Sequence, residues 1–418
     1  MTRYRWVNLG ALRGARRSQA MCGRLFLLLA VAGCSLPPTP GARTGAFVPP
    51  DSTVAVLDGV VVVDGGLSAL DVDAGGALWA VADRGPNLDA DSLVGRPAKR
   101  FALPDYTPSL VRLLPRADRL AVTARRPVRV PGGRAATGRP VPSSGRASVE
   151  TAVGPDGEIL APDPWGVDAE GIAFDGTDLW LAEEYRPSLW RLDAETFAVR
   201  ERWTPEPDGP LDRALPPVVE GRQPNLGFEG VAVLDGRVWA SLQGPIRTAE
   251  TDPATPLVRI VALDPETGTA ETFAYPMDRA GRKLGDLAAL PDGRLLVIEH
   301  GPGADGVWAG EVYAVSVRGA TPLARGALPE AHPTADAARA NGHAVLDKRL
   351  MLDLVPAGWP AGLHKPEGLA VLPGGRLAVL ADNDYGVDAP AVDGRPVATN
   401  ARTTLVVFPV PELRQRER

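Results

Sequence analysis

Five segments of the chain repeat one pattern: a short alternating apolar strand, a tight turn bearing Gly or Asp-Gly, and a second apolar strand. They are "LSALDVDAGGALWAVADRG" from Leu67, "EGIAFDGTDLWLAEEY" from Glu170, "EGVAVLDGRVWASLQG" from Glu229, "GDLAALPDGRLLVIEHG" from Gly285 and "EGLAVLPGGRLAVLADND" from Glu367. Asp-Gly between apolar runs is a strong hairpin signal. One such hairpin cannot bury its own apolar face, so repeated copies stack around a common axis. The first strands begin at 68, 170, 229, 285 and 367, at intervals of 102, 59, 56 and 82. The 56 and 59 suit one blade with its loops, and the 102 leaves room for a further blade containing "YTPSLVRLLP" and "GPDGEILAP". The expectation is an all-β chain folded as a single β-propeller of six blades, with five or seven as alternatives. An open β-sandwich or two smaller β domains is the competing arrangement. The segments "STVAVLDGVVVVDGG" and "TTLVVFPV" are expected to share one blade and close the ring.

The same hairpins fix where polar residues fall. First strands start at Ser68, Glu170, Glu229, Gly285 and Glu367, and second strands end at Asp83, Glu184, Gln243, His300 and Asp382, a constant 14 or 15 residues later. Both ends of an antiparallel hairpin lie at one edge of the sheet. All ten positions are therefore expected at one mouth of the propeller, the first set nearest the axis. Asp168, Asp286, Glu299, Asn383 and Asp384 sit beside them. Carboxylates crowded into one channel must be protonated, paired with cations or bound to a metal. Oxygen ligands without Cys and with little His favour Ca²⁺. The expected metal ligands are Glu170, Glu229, Asp286, Glu367, Asp382 and Asp384. A structural reading stays open, in which the acids cap turns or pair with Arg84, Arg186 and Lys365. Near the same mouth, His300 is a candidate general base and Tyr185 a candidate hydroxyl donor to a ligand. Trp79, Trp180 and Trp239 in the second strands are expected in the core, and the stretch 331–341 reads as an exposed helix.

Residues 1–33 read as a lipoprotein signal peptide, 34–50 as a Pro/Gly-rich tether and 51–412 as the propeller. Six arginines precede a short apolar stretch, Leu25 to Ala32, and Val31-Ala32-Gly33-Cys34 resembles a bacterial lipobox. The implied chemistry is acylation of Cys34 and cleavage before it, which would hold a soluble body to the extracytoplasmic side of a membrane. A signal peptide with a chance Cys is the alternative, and Met21 is a second candidate start. Cys22 and Cys34 are the chain's only cysteines, so the mature body is expected to have no disulfide and no thiolate chemistry. Removing six arginines from a chain of net charge −6 leaves −12, which argues against a nucleic-acid partner. The sequence carries no nucleophile elbow, zinc-helix, Walker or dinucleotide motif. Water activated by a metal or a carboxylate is the hydrolytic route left.

Six ordered blocks resemble the phytase-like ("esterase-like activity of phytase") family: "LWAVADRGPN", "FALPDYTPSLVRL", "DAEGIAFDGTDLWLAEEYRPSLWRLD", "NLGFEGVAV", "MDRAGRKLGDLAALPDGRLLVIEHG" and "KPEGLAVLPGGRLAVLADNDYGV". The resemblance implies an extracytoplasmic β-propeller with phosphatase- or esterase-type activity on a small-molecule ester. By position it points to Asp83, Glu170, Glu184, Glu229, Asp286, Glu367, Asp382 and Asp384, with Asn225 as a neutral ligand or hydrogen-bond donor. Glu299-His300-Gly301 departs from the family pattern, in which a basic residue often follows the Glu. The expected division of labour has Glu170, Glu229 and Glu367 holding Ca²⁺. Glu184 activates water, Arg84 or Arg186 steadies an anion, and Asp83, Tyr185, Asn225 and Lys365 contact substrate. A monomer is expected. The alternative function is a non-catalytic propeller that binds an envelope ligand or protein.

Overall fold

The computed structural model describes residues 44–414 apart from 51, 91–93, 95–96, 143–149, 304–307, 364, 389–394 and 400. Cys34, the leader and His364 lie outside the described residues. Each repeat supplies the inner two strands of one antiparallel blade. Blade 1 is built from Leu67–Val72, Leu78–Ala82, Ser109–Pro115 and Leu120–Pro127. Blade 2 runs Ala169–Asp175, Asp178–Glu183, Ser188–Asp193 and Val199–Thr204, with Asp212–Ala214 added in parallel at its edge. Blade 3 comprises Phe228–Leu234, Arg237–Leu242, Leu257–Asp264 and Thr269–Pro276. Blade 4 comprises Lys283–Ala289, Arg294–Pro302, Trp308–Ser316 and Lys348–Asp353. Blade 5 takes Pro366–Leu372, Arg376–Ala381 and Thr404–Pro409, and its outermost strand is Gly45–Phe47.

The innermost strands touch in the order 1–2–3–4–5–1, a closed ring. Among the described residues there are thus five blades, where the spacing predicts six. "YTPSLVRLLP" supplies the third strand of blade 1. Thr151–Val153, immediately before the "GPDGEILAP" segment, joins Ala98–Phe101 and Asn87–Asp89 in a small side sheet. The long interval therefore holds a side sheet instead of a sixth blade. Ring closure between the chain's two ends is present, but Gly45–Phe47, within the expected tether, pairs with Thr404–Pro409. Thr53–Leu57 and Val60–Val63 form a separate hairpin. The expected helix is there as Ala335–Ala340, capped by the Thr334 hydroxyl accepting from Ala337 N.

Local chemistry explains the blades. In blade 3 Asp235 (φ 52°) and Gly236 (φ 74°) form the turn between the first two strands, and Gly374 (φ 78°) and Gly375 (φ 68°) do the same in blade 5. Two positive φ values in a two-residue turn match the twist of the flanking strands. Second strands are buried on both faces because neighbouring blades cover both, so they read as continuous apolar runs. Trp180 and Trp239 pack in one cluster spanning blades 2 to 4, and Trp79 packs against Phe174 and Phe197 of blade 2.

The recurring Glu-Gly pair has a steric cause. A Cβ at Gly171 would lie 2.9 Å from Glu229 O, and one at Gly230 would lie 2.6 Å from Leu287 N. At Gly368 it would lie 2.9 Å from the Ala69 carbonyl carbon. Each glycine lets its inner strand approach the backbone of the next blade.

Candidate functional site

Every inner strand is interrupted at the same place. The pairing register slips between Leu67 and Ala69, Ala169 and Gly171, Phe228 and Gly230, Leu284 and Leu287, and Pro366 and Gly368. The residues left over are Ser68, Glu170, Glu229, Gly285-Asp286 and Glu367, the first-set positions of the sequence. A bulge re-aims the side chain it carries. The second set is tied to the same edge: Asp83 N donates to Gly66 O (2.8 Å) and Glu184 N to Asp168 O (3.0 Å). Gln243 N donates to Gly227 O (2.9 Å) and Asp382 N to Lys365 O (3.1 Å), while His300 lies opposite Lys283.

These two rings surround a polar cavity of about 340 Å³ at the mouth of the channel. Asp83, Arg84, Glu170, Glu184, Asn225, Glu229, Lys365, Glu367, Asp382 and Asp384 all line it, as the sequence predicts, together with Ser68 and Gln243. Four expected residues do not line it. Asp286 is fully buried and accepts from Leu70 N (3.0 Å), Leu369 N (3.1 Å) and Leu287 N (2.8 Å), so it ties blade 4 to blades 1 and 5. Tyr185 donates its hydroxyl to Gly138 O (2.6 Å). Arg186 pairs with Asp208 (3.2 Å). His300, the second-ring position of blade 4, is buried, and burial followed by the charge of Lys283 pushes it down to about 3. It stays neutral at physiological pH and is a poor general base.

The electrostatics are dominated by desolvation. Glu170 is raised well above the usual carboxylate range, first by burial and then by Asp168, Glu229, Glu184 and Glu367. Glu229 is raised by burial, Glu367 and Glu184. Burial and Asp168 push both Asp83 and Glu184 up to about 8. Asp384 is held low: burial raises it, but the charge and hydrogen bond of Lys365 (2.5 Å), with Asp382 and Arg84, together outweigh that. Arg84 reaches Asp168 and Glu150 at 3.0 Å each and donates to Asn225 Oδ1 at 2.7 Å. Asp83 accepts from the Tyr385 hydroxyl (2.7 Å) and Gly85 N (2.7 Å).

Two observations mark the cavity as more than a solvated rim. Asn225, Lys365, Asp384 and Tyr385 all line it with positive φ, four of the seven such non-glycine residues described. Left-handed non-glycine residues carry local strain and gather at functional sites. In addition, Glu184 Oε1, Glu229 Oε2 and Gln243 Oε1 are buried without a hydrogen-bond partner. Carboxylate oxygens of Glu170, Glu229 and Glu367 lie within 4.8 Å of one another. Oxygens sharing one Ca²⁺ at about 2.3–2.6 Å are at most about 4.6–5.2 Å apart, so the donor set fits a hard cation.

Lys283 lines the cavity and carries no motif of its own. The signal for it is positional: it precedes Gly285 by two residues, as Lys365 precedes Glu367 and Asp168 precedes Glu170. Asp168 was visible in the sequence only as a neighbour of Glu170, and its partnership with Arg84 crosses between blades.

Among solved structures, glutaminyl cyclase from Myxococcus xanthus is similar at 11% identity, with 88% of this chain and 100% of that chain covered and a TM-score of 0.35. An aldose sugar dehydrogenase from Streptomyces coelicolor gives 15% identity, 88% and 100% coverage and a TM-score of 0.33. An α-L-arabinofuranosidase from Clostridium thermocellum gives 14%, 75% and 81%, and 0.39. Likenesses this distant carry no argument about activity. No curated protein matches the chain. The family model described as "Esterase-like activity of phytase" matches residues 64–385, which takes in the inner strands of all five blades and every residue lining the cavity except Val387 and Asp388. The chain belongs to the phytase-like family.

Proposed function

We propose that the protein is a divalent-cation-dependent hydrolase, with Ca²⁺ as the cation, that cleaves a phosphoester or carboxylic ester at the axial mouth. The mature body would be tethered through Cys34 to the extracytoplasmic side of a membrane. The observation that carries the reading is the convergence of three carboxylates from three blades, Glu229 and Glu367 buried and Glu170 half-buried, with an unpartnered oxygen among them. These three would hold the cation, which when bound supplies polarisation of a substrate oxygen. Of the second ring, Asp83 and Glu184 are placed to take a proton from water. Lys283 and Arg84, at the same mouth, are placed to steady an anionic group on the substrate.

The test is turnover of a generic phosphomonoester and a short-chain aryl ester, with Ca²⁺ and with chelator. Turnover lost in chelator, restored by Ca²⁺ and lowered at least about 100-fold by Glu170→Gln is expected, the scale of one removed preorganised charge contact. Full turnover in Glu170→Gln contradicts the site. No turnover on either ester, with or without Ca²⁺, favours a binding module.

A further inference from the structure

We infer that the cavity takes two divalent cations, the second between Asp168, Glu170 and Glu184, with Glu170 shared. The inference rests on the proposed function for the first cation only. Oxygens of Asp168, Glu170 and Glu184 lie within 4.8 Å of one another, as those of Glu170, Glu229 and Glu367 do, and the two triads meet only at Glu170. Glu170 occupies the bulge of blade 2, between the other members of both triads.

A second observation is independent of this clustering. Glu184 is 3% exposed, and its Oε1 has no hydrogen-bond partner. Asp168 is fully buried, and one of its oxygens accepts from Arg84 N (3.2 Å). Its other oxygen lies 3.0 Å from the Arg84 guanidinium without a hydrogen bond, and that guanidinium also serves Glu150 and Asn225. A buried carboxylate oxygen left without a donor is costly, and a bound cation removes that cost.

The balance of charge gives the number of ions. Lys365 is engaged by Asp384 (2.5 Å) and Asp382 (3.7 Å), and Arg84 by Asp168 and Glu150. Among the described residues Glu170, Glu184, Glu229 and Glu367 have no ion-pair partner within reach. Lys283, the remaining cation lining the cavity, offsets one of these four charges and a single divalent ion offsets two more, so one carboxylate stays uncompensated without a second ion. The all-oxygen donor set selects hard ions of the Ca²⁺ class for both positions.

The experiment is calorimetric titration of chelator-stripped mature protein with Ca²⁺, stoichiometry being the readout. The wild-type chain should bind two ions, and Glu184→Gln, which keeps shape and removes charge, should bind one. Glu229→Gln should also bind one, through the other triad. If Glu184→Gln fails to fold by circular dichroism, Asp168→Asn takes its place with the same expectation. One ion bound by wild type, or two bound by Glu184→Gln, overturns the second site and leaves the proposed function standing. No ion bound by wild type overturns both.

Discussion

Asp71 and Glu170 stand at opposite ends of the inner strands, and both are half-buried carboxylates whose partial loss of water disfavours the charged form. At the mouth, Glu170 faces other acids, and a cation can relieve them together. At the far end Asp71 lies in a smaller cavity lined by the distal ends of the inner strands, where it accepts from Phe174 N at 2.7 Å. Burial, opposed by that hydrogen bond, pushes its carboxyl up to about 6 from an ordinary 3.8. Between those values the folded chain binds more protons than the unfolded chain, so stability falls as pH rises through about 6. Below about 3 both states are mostly protonated and the penalty vanishes. Asp71→Asn keeps an acceptor for Phe174 N and removes the charge. It should stabilise the protein by about 1–3 kcal/mol at pH 7.5 and by almost nothing at about pH 3. Denaturant unfolding at the two pH values checks this, and equal effects at both would refute it.

At the scale of the element, the bulge is what turns a strand into part of a site. Four of the five inner strands place a single extra residue there, and in three of them it is Glu. Blade 4 differs: two residues, Gly285 and Asp286, share the bulge, and the acid turns inward to bind backbone of blades 1 and 5. Asp286→Ala leaves two or three buried N–H groups without acceptors, which costs about 2–5 kcal/mol. The expected result is a lower unfolding midpoint with unchanged Ca²⁺ stoichiometry, and lost stoichiometry in a folded variant would return Asp286 to the ligand set. Sequence spacing could place Asp286 at the mouth edge but not say which way it points, because direction at a bulge depends on how many residues are extra. For the same reason the constant offset sufficed for Glu170, Glu184, Glu229, Glu367 and Asp382, whose bulges or strand ends match. It failed for His300, a second-strand end that does not line the cavity, while Tyr185 and Arg186, read only as neighbours of the acids, follow the strand end and are drawn to Gly138 and Asp208.

For the whole molecule, the number of blades was the property least legible in the sequence. An interval of 102 residues has room for a blade, yet the chain spends it on the outer strands of blade 1, a side sheet and loops. Only tertiary pairing distinguishes these uses. Closure follows the same logic: the ring is sealed where Gly45–Phe47 supplies the missing edge strand of blade 5, and three residues give little sequence signal for that role. What five blades do for function is to bring three glutamates, separated by up to 197 positions between Glu170 and Glu367, around one axis. In the proposed function this convergence holds a hard cation. A crystal structure of the mature protein grown with Ca²⁺, with anomalous scattering recorded from a Tb³⁺-substituted crystal, tests it most directly. A strong anomalous peak bounded by Glu170, Glu229 and Glu367 is expected. No peak there, or those carboxylates directed to separate faces of the propeller, would contradict it.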